Sequence, residues 1–252
     1  MTLEQHASEL RTRGYTIVES VLDRGQIDQA NAALEEIFER EREIGPLRGW
    51  QNDIYKVSYL LPQKHALFRS FCLNPRVLPL MRMLLGEQCV LASLNGLSMT
   101  PGGKPQDLHI DQSETIPGSV LYINALHTLD GFTRENGCTR VVPFSQDRQW
   151  RKGAMDLPAL EKEVVYLEAP AGSLIAYNGG LFHAGSRNCT PNPRRCIHAF
   201  FSRPWVRPQW DYTKSLSPEV IATLTGEQKR LFGFYAQAGW YDYKTDDVVR
   251  TR

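Results

Sequence analysis

The stretch DLHIDQ (Asp107–Gln112) places a histidine and an aspartate one residue apart. On a β-strand, residues i and i+2 project from the same face, so His109 and Asp111 would point into one space. Two histidines and one carboxylate form the facial triad that holds non-haem iron(II) with open coordination positions, and this pair would supply two of those ligands. H-x-D also occurs often by chance. An exposed pair at a strand edge is therefore the alternative interpretation.

The third ligand has to come from another part of the fold, and His183 is the best candidate. It follows the strand-like run SLIAYN and the turn 178–180, so the intervening strands could return it to the first pair. A histidine between Phe182 and Ala184 is also compatible with a structural role in the core. The sequence alone leaves both interpretations open.

A cation that could anchor an acidic co-substrate lies eleven residues beyond His183, at Arg194 in the run RRCIHAFF. An oxidative iron site needs an electron-donating co-substrate such as 2-oxoglutarate, whose distal carboxylate would lie deep in the fold. The planar fork of arginine suits a charge-assisted bidentate pair with that carboxylate. Arg195 is the alternative anchor. For His127 and His198, which have no carboxylate at ligand spacing, structural or exposed roles are predicted.

Composition excludes several classes of function. The 252 residues carry a formal net charge of +1 without a basic tract, so neither a nucleic acid nor an anionic membrane surface is an expected partner. No apolar run approaches the ~18–20 residues that span a bilayer. Five cysteines without C-x-x-C argue against a disulfide framework and a zinc knuckle. We expect a single-domain, cytoplasmic protein.

Four segments have helical patterns, and the first is the N-terminal MTLEQHASELRTRGY, which is followed by the strand-like run YTIVES (Tyr15–Ser20). RGQIDQANAALEEIFERERE places its apolar residues on one face, and these are Ile27, Ala30, Leu34, Ile37 and Phe38. LNPRVLPLMRMLLG (Leu73–Gly86) is predicted to be a helix that ends at its glycine. SPEVIATLTGEQKRLFGFY is predicted to be helical, with Ser217 as N-cap and Pro218 at the first position.

From Val90 onward, short strand-like runs such as SVLYINALH, EVVYLEAP and RCIHAFF alternate with glycine and proline turns. This texture favours a mainly β fold with flanking helices, built on a sandwich or barrel of the jelly-roll kind. The expected division of the single domain 1–252 is a helical part over about 1–88, a β core over about 89–205 and a C-terminal helical segment over about 215–235.

The sequence resembles the phytanoyl-CoA dioxygenase (PhyH) family of Fe(II)/2-oxoglutarate-dependent oxygenases. The resemblance covers nearly the whole chain and is carried by KVSYLLPQKHALFRSFC, the H-x-D segment, FTRENGCTRVVP, PAGSLIAYNGGLFH and LFGFY. It implies a double-stranded β-helix core, a jelly roll of the cupin-like kind, and it implies that His109, Asp111 and His183 are the iron ligands. It also implies that Arg194 anchors the 5-carboxylate of 2-oxoglutarate.

Three further co-substrate residues follow from the resemblance. Gln106 corresponds to an amide near the co-substrate, Thr139 to a hydroxyl that faces it, and Lys56 to a lysine directed at its carboxylate. Because the carboxylate of Asp111 is retained, oxygenation is expected and halogenation is not.

The chain departs from the family pattern at three places. PFSQ (Pro143–Gln146) replaces the usual P-G-S-H at the entrance, which puts substrate specificity in doubt. Leu126 or a neighbour stands where some members have tryptophan. Gly185, followed by Ser186, stands where relatives often have serine, so a co-substrate hydrogen bond could be moved or lost.

The resemblance implies an enzyme that uses Fe(II), 2-oxoglutarate and O2 to oxidise an unactivated C–H bond of a small molecule, releasing succinate and CO2. Hydroxylation in natural-product or specialised metabolism is the expected reaction, with desaturation, cyclisation and epoxidation open. The alternative is a non-oxidative or noncatalytic metal-binding protein of the cupin-like jelly-roll type. Such a protein would have no need for Arg194.

Two segments outside the core are expected to form the mouth of the site, GPLRGWQNDIYK and SRPWVRPQWDY. Aromatic side chains supply apolar contact area with a polar edge. We therefore expect Trp50 or Trp210 to contact substrate, with Phe144 at the rim. The alternative is that the tryptophans only cap the core.

Overall fold

The chain folds into antiparallel sheets with helices packed against them, in agreement with the predicted mainly β fold with flanking helices. The computed structural model describes residues 1–112, 114–150, 156–235, 240–242 and 244–249. The strands are β1 (Tyr15–Val18), β2 (Tyr55–Ser58), β3 (Val90–Met99), β4 (Tyr122–Thr128), β5 (Thr139–Val141), β6 (Val165–Leu167), β7 (Leu174–Asn178), β8 (His183–Gly185), β9 (Arg194–Ser202), β10 (Trp240–Asp242) and β11 (Asp247–Val249). The helices are α1 (Leu3–Thr12), α2 (Arg24–Arg40), α3 (Ile44–Leu47), α4 (Leu61–Lys64), α5 (Leu67–Phe71), α6 (Leu78–Leu85), α7 (Leu157–Leu160), α8 (Tyr212–Ser215), α9 (Pro218–Thr223) and α10 (Gly226–Leu231).

The main sheet has six strands in the order β1-β7-β4-β9-β3-β2, and every neighbouring pair is antiparallel. A smaller sheet has the order β6-β5-β8, and β10 pairs with β11. Both edge strands of the main sheet, β1 and β2, come from the N-terminal part, which was predicted to be mainly helical apart from the strand-like run YTIVES that contains β1. Within the described residues, no helix is long and apolar enough to cross a membrane.

Helices cover one face of the main sheet. Helix α2 begins at a capping box in which Asp23 and Gln26 satisfy each other's backbone N–H groups. The apolar face predicted for this helix is buried, which confirms that prediction. Gly96 of β3 lets the helix approach closely, because a Cβ there would lie 2.2 Å from Cδ1 of Leu34.

The opposite face of the main sheet packs toward the smaller sheet. Side chains alternate along a strand, so Ile197 and Ala199 of β9 join the helical core while Cys196 joins a second core. Phe132 and Val141 meet Cys196 in that second core. The space between the two sheets is therefore lined by every other residue of the main strands.

Two predicted helices differ from the structure. The helix predicted over Leu73–Gly86 begins only at Leu78, because the side chain of Asn74 accepts a hydrogen bond from the Arg76 N–H and forms a turn. The C-terminal segment forms two helices, because Thr225 starts a second capping box after α9 has ended. The Ser217 cap is confirmed by its bond from the Val220 N–H.

Candidate metal centre

Two strand-like segments hold the two histidines opposite each other. His109 and His183 exchange a pair of backbone hydrogen bonds, each 3.0 Å long, and the Asp111 N–H donates to the Gly179 carbonyl at 3.1 Å. Asp111 lies 4.0 Å from Nε2 of His109 through Oδ1 and 3.5 Å from Nε2 of His183 through Oδ2. In the described part of the chain, this is the group of metal-ligating side chains whose donor atoms converge, all within 4.8 Å.

Hydrogen bonds set the tautomers of both imidazoles. Nδ1 of His109 donates to the Asp107 carbonyl at 2.8 Å, and Nδ1 of His183 donates to the Leu181 carbonyl at 2.9 Å. Because a carbonyl only accepts, each Nδ1 carries the proton and each Nε2 keeps its lone pair. The lone pairs face the carboxylate, which is the orientation that a metal ligand needs.

The electrostatics favour the protonation states that bind metal. Burial raises the pKa of Asp111, but the His183 ring and a hydrogen bond from Asn124 outweigh it and hold the pKa below its usual value. Burial lowers the pKa of His183, against the raising effect of the Asp111 charge. At neutral pH the site therefore offers a carboxylate and a neutral imidazole.

Asp111 is held by a second layer of side chains that the sequence did not reveal. Nδ2 of Asn124 donates to Oδ2 of Asp111 at 2.6 Å, and the Asn124 carbonyl oxygen accepts from Nε2 of His198. Burial lowers the pKa of His198 to about 4, so its ring is neutral. His198 lines the cavity beside the candidate ligands. It is part of the site and not an exposed residue.

Arg194 lines the same cavity from the first position of β9. Its side chain is buried, with Cζ 3.9 Å from the centre of the Phe132 ring. Neither Nε nor Nη1 has a hydrogen-bond partner. A buried guanidinium without an anion is costly, so this group fits an acidic ligand that enters the cavity.

The neighbouring Arg195 is already satisfied. It binds Asp130 through Nε at 2.9 Å and Nη2 at 3.0 Å, and it binds Glu35 at 3.0 Å. It does not line the metal cavity. Of the two candidate anchors, Arg194 is the one that faces the site.

Gln106 and Thr139, which the resemblance places near the co-substrate, both line the cavity. Oε1 of Gln106 accepts from the Gly185 N–H at 2.8 Å, which leaves its Nε2 as a donor. A Cβ at residue 185 would lie 3.0 Å from that oxygen, so glycine leaves room for the amide. The following residue, Ser186, is buried and its hydroxyl has no partner.

Lys56 does not line the cavity, so the structure does not support the contact with the co-substrate that was expected for this residue. On β2 the flanking Tyr55 and Val57 line the cavity, whereas Lys56 is exposed. The reason is the alternation of side chains along a strand, which turns every second residue to the opposite face.

The predicted substrate residues have different positions. Trp50 and Trp210 do not line the cavity, but each packs edge-on against Tyr59, at 5.8 and 5.7 Å between ring centres, and Tyr59 lines it. Phe144 lies outside the cavity with 57% of its surface exposed. Its φ of 64° is in the left-handed region that favours glycine, so the backbone expected for the family's glycine is retained.

Comparison with models of protein families matches residues 10–196 to the phytanoyl-CoA dioxygenase family. The match spans well over half of the chain and includes the three converging side chains and Arg194. The chain belongs to the phytanoyl-CoA dioxygenase family. Its family membership makes the protein a dioxygenase that uses Fe(II) and 2-oxoglutarate, and these predictions are confirmed.

Known proteins of similar sequence and structure agree with this family assignment. The chain is 30% identical to the dioxygenase trt7 of Aspergillus terreus over 98% of this chain and 92% of that protein. It is 26% identical to the Fe(II)/2-oxoglutarate-dependent dioxygenase nvfF of Aspergillus novofumigatus, over 89% of this chain and 79% of that protein. Among solved structures, the epimerase SnoN in complex with Fe3+, alpha ketoglutarate and nogalamycin RO has a TM-score of 0.69. It is 20% identical, and the similarity covers 86% of this chain and 90% of SnoN, which shows a shared fold.

Sequence reasoning on this dioxygenase missed Asn124, Tyr59 and Tyr177, which hold or line the site. Tyr177 packs against the His183 ring at 4.6 Å between centres. All three lie in or beside strands, where side chains point alternately to the two faces, so only the residues of one face can line the site. Which face points to the metal is decided by strand pairing, and the sequence carries no direct signal of it.

Proposed function

We propose that this dioxygenase holds Fe(II) with His109, Asp111 and His183 and oxidises a small molecule. One observation carries the proposal: three converging metal-ligating side chains line the same cavity as a buried guanidinium whose Nε and Nη1 have no hydrogen-bond partner. Two imidazoles and one carboxylate suit iron(II) and leave coordination positions open. Burying the Arg194 guanidinium costs free energy that an anionic co-substrate would offset. A noncatalytic metal-binding protein has no such co-substrate, so this alternative is not favoured.

Each residue of the site has a separate task in this proposal. His109 and His183 present fixed Nε2 lone pairs to the metal because their Nδ1 protons are bound to backbone carbonyls. Asp111 supplies the negative charge. Arg194 pairs with the distal carboxylate of 2-oxoglutarate, with Gln106 and Thr139 beside it. When bound, iron and 2-oxoglutarate supply the oxidation of a C–H bond with O2, with release of succinate and CO2.

We infer that the substrate is a small natural product and that the enzyme hydroxylates it. The cavity has a volume of about 290 Å³, at the lower end of the range for pockets that hold drug-sized ligands. The co-substrate takes part of this volume. The reacting end of the substrate therefore enters the cavity while the remainder lies toward Tyr59, which packs edge-on against both Trp50 and Trp210.

We also propose that the two facing sheets are the halves of a jelly roll, as in the predicted double-stranded β-helix. The smaller sheet carries His183 on β8, and the main sheet carries Arg194 on β9. A metal ligand and a co-substrate anchor on opposite sheets would enclose 2-oxoglutarate between them. In this arrangement the rigid strands fix the distance between the metal and the anchor.

The metal assignment is tested by adding Fe(II) and 2-oxoglutarate to the protein without oxygen. We expect the weak visible absorption band of an iron(II)–2-oxo acid chelate, and we expect its loss in His109→Ala, Asp111→Ala and His183→Ala. His127→Phe, which changes a buried histidine outside the cavity, should keep the band. A band of parental intensity in any of the three alanine variants would remove that residue from the ligand set.

A further inference from the structure

Asp111 differs from the two histidines in how its position is secured. The histidines are tied to each other by paired backbone hydrogen bonds, whereas Asp111 has one backbone bond to Gly179 in a segment outside the named strands. Its carboxylate is instead held by the side chain of Asn124 at 2.6 Å. The orientation of this ligand therefore depends on a side chain of the main sheet.

Asn124 is fully buried on β4, and His198 lies on the neighbouring strand β9. The Asn124 amide is itself oriented, because its oxygen accepts from Nε2–H of His198. A carboxylate offers only acceptors, so the amide nitrogen has to face Asp111 and the amide oxygen has to face His198. If the ring were absent, nothing else in the described hydrogen bonds would hold that oxygen.

The bond from Asn124 distinguishes the two oxygens of Asp111. Oδ2 accepts the short charge-assisted bond from the amide, whereas Oδ1 has no hydrogen bond from a side chain among the described residues. Turning both oxygens toward a metal would stretch the Asn124 bond. The arrangement favours a carboxylate that binds through one oxygen and leaves a further coordination position open.

We propose that Asn124 and His198 are positioning residues that hold the Asp111 carboxylate in its metal-binding orientation. The proposal rests on the proposed iron site. Both residues belong to central strands, so their side chains are fixed by sheet pairing and packing. Through these hydrogen bonds the main sheet holds the side chain of Asp111, which lies in a segment outside the named strands. Loss of such outer partners of a metal ligand typically weakens metal affinity on the order of 10–100-fold.

The test is the affinity for cobalt(II), measured on metal-free full-length protein without oxygen by competition with a chromophoric chelator. Asn124→Leu removes both hydrogen bonds at similar volume and should weaken cobalt(II) affinity about 10-fold or more. His198→Leu should weaken it in the same direction. His198→Gln should restore affinity toward the parental value, because the glutamine amide can again donate to the Asn124 oxygen.

A matched control separates positioning from stability. Asn74 is also a buried asparagine with two hydrogen bonds, to the Val21 carbonyl and from the Arg76 N–H, and it lies outside the metal cavity. Asn74→Leu should lower the melting temperature and leave the cobalt(II) affinity at the parental value. If Asn124→Leu does not fold, the comparison of His198→Leu with His198→Gln carries the test.

The proposal is overturned if Asn124→Leu or His198→Leu binds cobalt(II) as tightly as the parent protein. It is also overturned if His198→Gln binds no better than His198→Leu. Asp111→Ala serves as the reference for loss of a ligand. Equal affinities of the parent and Asp111→Ala would instead contradict the proposed iron site, so the two failures are distinguishable.

Discussion

At the scale of single residues, Arg194 and Arg195 illustrate how adjacent side chains of one type acquire different roles. They point to opposite faces of β9, because side chains alternate along a strand. Arg195 meets Asp130 and Glu35, so its charge is compensated within the chain. Arg194 contacts the Phe132 ring and lines the metal cavity.

Arg194→Gln should weaken 2-oxoglutarate binding more than about a hundredfold while metal affinity stays near the parental value. The reason is that truncating one partner of a buried charge pair typically costs on the order of 3–5 kcal/mol. The measurement is calorimetric titration of the metal-loaded protein with 2-oxoglutarate in the absence of oxygen.

Arg195→Gln is the matched control for this experiment. It removes the contacts with Asp130 and Glu35 and should reduce stability, with 2-oxoglutarate affinity unchanged. If 2-oxoglutarate affinity falls in Arg195→Gln and not in Arg194→Gln, the anchor is Arg195 and the assignment to Arg194 is wrong.

At the scale of elements, the contact between α2 and β3 depends on a missing side chain. A Cβ at Gly96 would lie 2.2 Å from Cδ1 of Leu34, much closer than van der Waals contact allows. Helix and sheet therefore approach to a distance that only glycine permits at this position. The strand β3 also carries Met99, which pairs with Arg194, so this packing supports the site.

Gly96→Ala should destabilise the protein by about 1–3 kcal/mol, the usual cost of overpacking a core. Leu34→Ala should cost about 2–5 kcal/mol through the cavity that it leaves. In the double variant the new methyl group has room, so the loss should be smaller than the sum of the single losses. Urea unfolding of the four proteins measures this coupling, and strictly additive losses would contradict the contact.

At the scale of the whole molecule, a buried histidine couples stability to pH. His127 of β4 is fully buried between the helical layer and the main sheet, with its ring 4.9 Å from that of Phe71. Burial lowers its pKa from 6.5 to about 4. Between these two pH values the histidine is protonated in the unfolded chain and neutral in the native state. The free energy of unfolding therefore has its full value above about pH 6.5 and falls as the pH drops toward 4.

The metal-free protein should therefore lose stability between about pH 7 and about pH 5, and His127→Phe should lose less. Each pH unit between the two pKa values corresponds to about 1.4 kcal/mol, which limits the contribution of this histidine to roughly 3 kcal/mol. Urea midpoints at the two pH values measure the effect. An equal loss in the parent and in His127→Phe would show that this residue does not carry it.

The chemistry at particular positions could be predicted from local patterns in the sequence. The H-x-D pair, a second histidine after a glycine turn and an arginine on the next strand were all visible as local patterns. The ligand atoms of the two histidines and the aspartate lie together in the structure, and Arg194 lines the same cavity. The helices with clear caps and apolar faces were also visible, because capping and amphipathic spacing act within a few residues.

Strand pairing in the folded protein sets which face of each strand lines the metal cavity and which side chains lie behind the candidate ligands. Lys56 fitted a family pattern, yet its strand turns Tyr55 and Val57 inward in its place. Asn124 and His198 acquired their roles because β4 and β9 pair in one register, which places the amide between Asp111 and the ring. Strand registers follow from contacts between residues far apart in the chain, and a shift by one residue exchanges the two faces.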